Sequence, residues 1–416
     1  MPLTEEQAQV IISTVPVLQQ YGNQITTVFY ANMLLEVPDL NNVFNTSNQR
    51  NGHQQQALGG TLYAYAANIN NLEVLGPAVE RICHKHASLY IKPEHYDIVG
   101  KYLLEAMGQV LGDALTPQIL DAWAAAYKQI ADIMINREEE LLKHTHGWTE
   151  WKDFRIDRKE PESDEVTSFY LKPVDGKPLP EFLPGQYISI QIDVPALKYK
   201  QARQYSLSDK YSPEYYRISV KREKGLDVSD PSAVAHPGYV SNILHDEMKQ
   251  GEIVQLSHPA GDFFLDVRNE GENDSPIVLL SAGVGLTPLM SILNTLVEKN
   301  GGRKISWVHG SRNSSADPFA QYIKSLESSH PNVTERIFHS VPNPDEKEGV
   351  DYDIKGRLDL SRLRPEEDLR LNEKNASYYI CGPEKFMTDL EQALRNRGVD
   401  ASRINMELFG TGGVPR

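Results

Sequence analysis

The hydrophobic repeat changes twice along this chain, and a single-layer fold cannot accommodate that. Residues 1 to 146 carry apolar side chains at a spacing near 3.6 with no β-branched runs between turns, which predicts helices throughout. From Trp148 the repeat shortens to two: Tyr187–Ile192 and Tyr216–Val220 alternate as half-buried antiparallel strands do. Beyond Gly271 short apolar runs (Ile277–Ser281, Ile305–Val308, Tyr378–Ile380) alternate with helical stretches, the pattern of βαβ units and a parallel sheet. The expected class is multidomain, an all-α unit followed by an antiparallel β unit and an α/β unit. The expected spans are 1–146, 148–268 and 272–416, with boundaries at Lys143–Trp148 and Arg268–Pro276.

A length of 416 residues allows two to four domains at roughly 150 residues each. The net charge of −15 argues against a nucleic-acid partner, whose footprint is clustered positive charge. Two cysteines cannot build a disulfide framework and suit a reducing compartment. The N-terminus carries Glu5 and Glu6 and no basic residue before Arg50, unlike a secretory or mitochondrial leader. Residues 277–297 are free of charge over about the length of a membrane span. Gly283, Gly285, Pro288 and several hydroxyl side chains interrupt them, so a buried strand, a tight turn and a helix fit better. The expectation is a cytoplasmic protein with no integral membrane segment and no obligate protein partner.

Each of four helical stripes in the first third carries one odd polar residue. His86 continues the row Val79, Ile82, Cys83 and Leu89, either as a hydrogen-bonded core histidine or as an axial ligand to a metal or haem. Gln54 heads Leu58, Leu62, Tyr65 and Ile69; Tyr96 heads Val99, Leu103, Ala106 and Val110. Glu138 extends the Ala126, Ile130, Met134 row, whereas Glu139 and Glu140 do not. A buried carboxylate needs a partner, and one that accepts an imidazole N–H strengthens the ring as a ligand. Tyr30 could supply a hydroxyl opposite, and Phe44 a wedge against a flat ring. On spacing alone, a haem-binding helical unit and a plain helical bundle both remain open.

In the remainder, Arg203-Gln204-Tyr205-Ser206 lies just after a strand and a polar loop, and Pro184-Gly185-Gln186-Tyr187 opens that preceding strand. An arginine can clamp a pyrophosphate, a tyrosine can stack on an isoalloxazine and a serine can bond its edge. Gly238–Asn242 opens a short helix, a phosphate cradle or an ordinary capped start. Gly283-Val284-Gly285-Leu286-Thr287-Pro288 stands between a strand and a helix, the context of a dinucleotide loop, with proline in place of the usual last glycine. Gly285 is read as letting the backbone approach a ligand. Cys381-Gly382-Pro383 ends a strand, with Cys381 either a small buried residue or a neighbour of a nicotinamide. Phe409, in Glu407-Leu408-Phe409-Gly410, could cover a flavin.

These motifs, in this order, resemble a known pair of modules. Arg203–Ser206, Gly283–Pro288 and Cys381–Pro383 resemble the ferredoxin-reductase-like FAD/NAD(P) module, which implies a β-barrel FAD domain and an α/β NAD(P) domain. Phe29-Tyr30, Phe44-Asn45, Ser47–Gly52, Lys85-His86, Ile91–Tyr96 and Ile135–Glu138 resemble a single-domain globin. Fused, the two are similar to a flavohemoglobin over essentially the whole chain. The resemblance implies haem b with His86 as the iron ligand, and Tyr96 and Glu138 as its relay. Tyr30 and Gln54 would stabilise bound oxygen, Leu58 would shape the pocket, and Lys85 would lie on the flavin side. FAD would be held by Tyr187, Arg203, Gln204, Tyr205, Ser206, Leu408, Phe409, Gly410 and Thr411, with Glu407 tuning its potential. NAD(P)H would lie on Gly283, Val284, Gly285, Leu286, Thr287 and Pro288. The chain departs from the family at Leu408–Thr411 with its tail to Arg416, and in the longer stretch Leu226–Pro237.

The implied activity is nitric oxide dioxygenation: NAD(P)H reduces FAD, FAD reduces the iron, and the oxygen-loaded haem turns nitric oxide into nitrate. Two alternatives stand beside it, a haem-based oxygen or NO sensor or carrier, and an NAD(P)H-dependent peroxide reductase. Ser311 and Arg312 could take the 2′-phosphate of NADPH, or Arg312 could be an exposed loop cation.

Overall fold

Thr4 starts the first helix: its hydroxyl accepts from the Gln7 amide while the Gln7 side chain accepts from the Thr4 amide, a reciprocal cap. In the computed structural model of the chain, residues 3–223, 225, 238–267, 275–299 and 302–410 are described. The helices that follow are α1 (Glu5–Ser13), α2 (Val15–Glu36), α3 (Thr46–Arg50), α4 (His53–Ala67), α5 (Gly76–Ser88), α6 (Pro93–Leu111) and α7 (Pro117–Lys143). Pro93 and Pro117 each occupy a first helical position, where the missing N–H costs nothing. The inward faces of α1, α2, α4, α6 and α7 form one core around Ile25, Phe29, Met33, Leu103 and Ala126. A smaller cluster of Cys83, Tyr96, Ala131 and Met134 joins α5, α6 and α7.

The second unit contains β1 (Lys152–Pro161), β2 (Val166–Pro173), β3 (Tyr187–Val194), β4 (Tyr199–Ser206), β5 (Tyr216–Lys221), the single turn α8 (Tyr239–Asn242) and β6 (Ile253–Leu256). The strand order is β4-β3-β6-β1-β2-β5, antiparallel throughout. An antiparallel bridge between Leu207 and Ile218 ties the two edges together, which closes the sheet into a barrel. Trp148, Phe154 and Tyr216 stack in its core. Arg203–Ser206 follows β3 and the connection at 195–198, and forms the second half of β4, a strand whose polar side chains resemble a loop.

The third unit is β7 (Ile277–Ala282), α9 (Leu286–Glu298), β8 (Ile305–Ser311), α10 (Ala320–Ser329), β9 (Val333–His339), β10 (Ile354–Lys355), β11 (Ser377–Cys381), α11 (Glu384–Arg395) and β12 (Ile404–Glu407). The sheet is parallel in the order β10-β9-β8-β7-β11-β12. The chain winds one way from β7 to β10 and the other from β11 to β12, so the switch point opens between the ends of β7 and β11. The charge-free stretch expected to be strand, turn and helix is β7, a one-turn 3-10 segment and α9. Among the described residues no helix is long and apolar enough to cross a membrane. The first boundary region falls between α7 and β1, and most of the second lies outside the described residues.

Candidate active site

α5, α6 and α7 bring three of the singled-out residues to one point. His86 Nδ1 lies 2.9 Å from the Tyr96 hydroxyl and 2.9 Å from Glu138 Oε1. The hydroxyl donates to the same Oε1 at 2.5 Å. Glu138 is 4% exposed, so these bonds are what make its burial tolerable. With Nδ1 donating to the carboxylate, Nε2 is left as the acceptor nitrogen. No residue among those described takes it, and the side chain is 30% exposed. That is the donor set an iron ligand presents. Burial first, and the Glu138 carboxylate second, push the Tyr96 phenol above its ordinary value, so it stays protonated.

On α2, Tyr30 is buried between the rings of Phe29 and Phe44, at 4.6 and 5.6 Å edge-on. Burial raises its phenol, against a bond from Gln54 in the first turn of α4. Gln49 donates to Gln54 Oε1 at 2.9 Å and orients that amide. Leu58, one turn further, packs against the same core.

The β3–β4 register sets Tyr187 opposite Ser206, Ser189 opposite Gln204 and Ile190 opposite Arg203. Gln204 donates to Ser189 Oγ at 3.0 Å, and Ser88, the last residue of α5, meets that hydroxyl at 2.9 Å. The barrel face carrying these residues therefore lies on the helix that carries His86. The Tyr187 hydroxyl also reaches Ser88. Burial pulls Lys85 and Arg203 below their ordinary values, and for Lys85 the nearby Arg203 adds to this while Glu407 opposes it. Arg203 has no carboxylate partner among the described residues, which leaves its guanidinium available to an anion. Burial, with Asp262 second, raises Glu407 to about 8 against Arg81 and Lys85. Phe409 is 44% exposed, and Leu408 packs on the parallel-sheet core. Thr411 and the stretch 226–237 lie outside the described residues.

At the switch point, only Gly283 and Val284 of the six-residue turn face outward; Gly285, Leu286, Thr287 and Pro288 are buried. Packing alone already requires a glycine at 285. A Cβ there would collide with the Cys381 carbonyl group and stand 2.8 Å from the Gly382 nitrogen, so the glycine serves the packing of two strand ends. Cys381 is fully buried, and burial pushes its thiol well above its ordinary value, as for a small core residue. Arg312 is bonded to Glu165 on the barrel, and Ser311 to the Asn313 carbonyl. The start at Gly238–Asn242 has no side-chain cap: Ser241 accepts from the Glu223 amide and donates to the Gly238 carbonyl, both at 3.3 Å.

Comparison with known proteins separates the two readings of the first third. The Globin family matches residues 27–134, and the Oxidoreductase NAD-binding domain family matches residues 279–392. A flavohemoprotein of Bordetella parapertussis is 45% identical over 99% of this chain and 100% of its own. This chain belongs to the flavohemoprotein family. A flavohemoprotein of Rhizobium meliloti is 43% identical over 98% of both chains. Among solved structures, the flavohemoglobin of Malassezia yamatoensis, with bound FAD and haem, superposes with a TM-score of 0.83 at 30% identity, covering 98% of this chain and 100% of that one. The FAD/NAD-binding part of a nitric oxide dioxygenase from Vibrio cholerae matches 62% of this chain and 98% of that one (35% identity, TM-score 0.53). The flavohemoprotein fold brings one set of residues to the module boundary that sequence reasoning passed over: Ser88, His84 and Gly261. The signal available for His84 was its i, i+4 relation to Glu80.

Proposed function

We propose that this flavohemoprotein is an NAD(P)H-dependent nitric oxide dioxygenase, with haem b at His86 and FAD on the β3–β4 face, converting O2 and nitric oxide to nitrate. The observation that carries the reading is the His86 imidazole, fixed at Nδ1 by Tyr96 and Glu138 with Nε2 unclaimed. Haem supplies the redox-active iron, and FAD converts a hydride from NAD(P)H into single electrons for it.

The chain's own residues do the rest. Glu138 accepts a hydrogen bond from His86 Nδ1 at 2.9 Å, which fixes the tautomer and ring orientation and strengthens Nε2 as a ligand. Tyr96 remains protonated, donates to Glu138 and fixes the carboxylate's orientation. Tyr30 keeps its proton over the whole physiological range, so it acts as a donor toward a ligand in the pocket, with Gln54 holding its hydroxyl and Leu58 keeping water out. Tyr187 and Tyr205 offer flat rings, Arg203 a cation for the pyrophosphate, and Gly283–Val284 the exposed turn for a nucleotide. The named activity of the Vibrio cholerae relative supports the same reading for the barrel and the parallel sheet. Two buried, unpaired cysteines, Cys83 and Cys381, suit a cytoplasmic setting.

The test is NAD(P)H oxidation by purified holoprotein with nitric oxide and O2, or with an alkyl hydroperoxide, while nitrate is assayed. Stoichiometric nitrate and faster turnover with nitric oxide are expected. Turnover confined to the hydroperoxide would establish the peroxide-reductase reading instead, and no turnover with either would leave a carrier or sensor.

A further inference from the structure

α5 offers two histidines to two different modules. His84 and His86 are two residues apart, about 200° around a helix, so their side chains leave on opposite sides. His86 enters the Tyr96–Glu138 relay. His84 crosses to the barrel: its Nδ1 accepts the Gly261 backbone N–H at 3.1 Å, between residues 177 positions apart. Its Nε2 lies 3.2 Å from Glu80 Oε1, one turn back on the same helix. A neutral imidazole has one acceptor and one donor nitrogen, and these two neighbours use both.

Each end of this bridge is anchored again. Arg137 grips Glu80 through two bonds, 2.6 Å to Oε1 and 2.8 Å to Oε2, and Arg137 is the residue before Glu138 on α7. On the barrel side, Gly261 has φ 116°, and a Cβ there would stand 3.0 Å from two ring carbons of Tyr187, so the loop backbone rests on that ring. Ala260 and Tyr187 exchange backbone bonds at 2.8 and 2.9 Å. Arg81 and Asp262, 4.0 Å apart, add a looser tie between the same helix and loop.

We propose that His84 is a positioning residue that clamps the 260–262 loop of the barrel onto α5, and so holds the Tyr187 ring and the His86 imidazole in one fixed arrangement for electron transfer between the modules. The inference rests on the function proposed above, since it assigns His84 to the passage of electrons from the flavin side to the iron side. It adds no chemical step. A side chain that only stabilised the helix would have no need to spend its acceptor on a backbone amide of another module.

The experiment uses holoprotein, with His84→Ala and His84→Gln beside the natural chain. Glutamine retains an acceptor oxygen and an N–H donor, whereas alanine has neither. Amide hydrogen exchange is followed at the peptide containing Gly261, and anaerobic stopped-flow mixing with NADH separates flavin reduction from haem reduction by wavelength. In His84→Ala, Gly261 is expected to exchange faster and the flavin-to-haem step to slow roughly fivefold or more, the equilibrium factor of one net hydrogen bond. Flavin reduction and the Soret band stay as in the natural chain, and His84→Gln restores both affected readouts. An unchanged flavin-to-haem step in His84→Ala overturns the proposal, as does a slow step accompanied by an altered Soret band. If the natural chain itself passes no electron to haem, the dioxygenase reading fails, and exchange at Gly261 still decides whether the clamp exists.

Discussion

The Tyr96 hydroxyl donates to Glu138 Oε1 at 2.5 Å, and His86 Nδ1 shares that same oxygen at 2.9 Å. One carboxylate oxygen therefore sets both the orientation and the electron richness of the imidazole. Replacing Glu138 by glutamine weakens the acceptor and introduces an N–H that competes for position. Nitric oxide turnover should fall about 10- to 100-fold, the usual effect of losing an outer partner of a metal ligand. An NO electrode measures the turnover, and resonance Raman should show the iron–histidine stretch moving to lower frequency. An unmoved stretch would remove Glu138 from the relay.

Tyr30→Phe tests the hydroxyl proposed as donor to the bound oxygen. The ring contacts with Phe29 and Phe44 survive, so stability should change little. The lost hydroxyl donor should speed O2 dissociation about fivefold to thirtyfold, corresponding to roughly 1–2 kcal/mol for one hydrogen bond in a closed pocket. Stopped-flow displacement of O2 gives the rate, and a value equal to that of the natural chain would count against Tyr30 as the donor.

Helical spacing made the His86, Tyr96 and Glu138 constellation legible, because each interrupts an apolar stripe on its own helix; Val79, Ile82, Cys83, Ile130 and Met134 meet Tyr96 in one small cluster, whereas Val99, Leu103, Ala106 and Val110 face the larger helical core. The change of hydrophobic period likewise marked the three units. Three features were hidden for physical reasons. Arg203–Ser206 lies in a strand rich in polar residues, so no alternation announces it. The Asp193 side chain is exposed near the end of β3, which conceals that the strand runs on to Val194. The partner of His84 is a backbone N–H on a distant loop, and a backbone group leaves no trace in side-chain pattern. The glycine at 285 was visible, but its reason was not: the neighbour it accommodates, Cys381, arrives from a strand almost a hundred residues later.

Gly285→Ala should therefore be read as a packing lesion. The added methyl meets rigid backbone at Cys381 and Gly382, not the flexible end of a side chain. Overpacking of this kind costs about 1–3 kcal/mol, and each kcal/mol lowers the melting temperature of a unit of this size by about 2–4 °C. Calorimetry should show the transition of the parallel-sheet unit moving down while the helical unit melts as before. A variant with the natural melting profile would show that β7 and β11 part easily.

Glu407 gives a pH signature at the module boundary. Burial, reinforced by Asp262, holds its pKa up at about 8, against Arg81 and Lys85. Because the folded value is raised, its contribution to stability is complete below the ordinary carboxylate range and disappears as pH climbs to about 8. Across pH 7 to 9 the side chain acquires a negative charge, which disfavours adding electrons to a flavin beside it. The flavin midpoint potential of the natural chain should fall more steeply over this interval than that of Glu407→Gln. Potentiometric titrations at several pH values provide the comparison, and parallel slopes would exclude Glu407 as the source.

A buried charge cluster in the third unit predicts a second, separate pH effect. His339 is fully buried at the end of β9, with Glu346 Oε2 2.8 Å from Nδ1 and Asp317 Oδ2 3.4 Å from Nε2. Burial works against the imidazolium, but the bonds to Asp317 and Glu346 outweigh it and hold His339 above its ordinary value. Neighbouring His309, 3.5 Å from Asp317, is driven the other way by burial and stays neutral. The sign for His339 follows from the raised folded value: its stabilisation is whole below the ordinary histidine range and drains away as pH rises through the raised one. The melting temperature of this unit should decline from pH 6 to pH 9. His339→Gln should flatten that decline and lower stability at pH 6 by on the order of 3 kcal/mol, because two buried carboxylates lose their cation. Equal slopes in the two proteins would mean that His339 is neutral throughout, with its hydrogen bonds made by the uncharged ring.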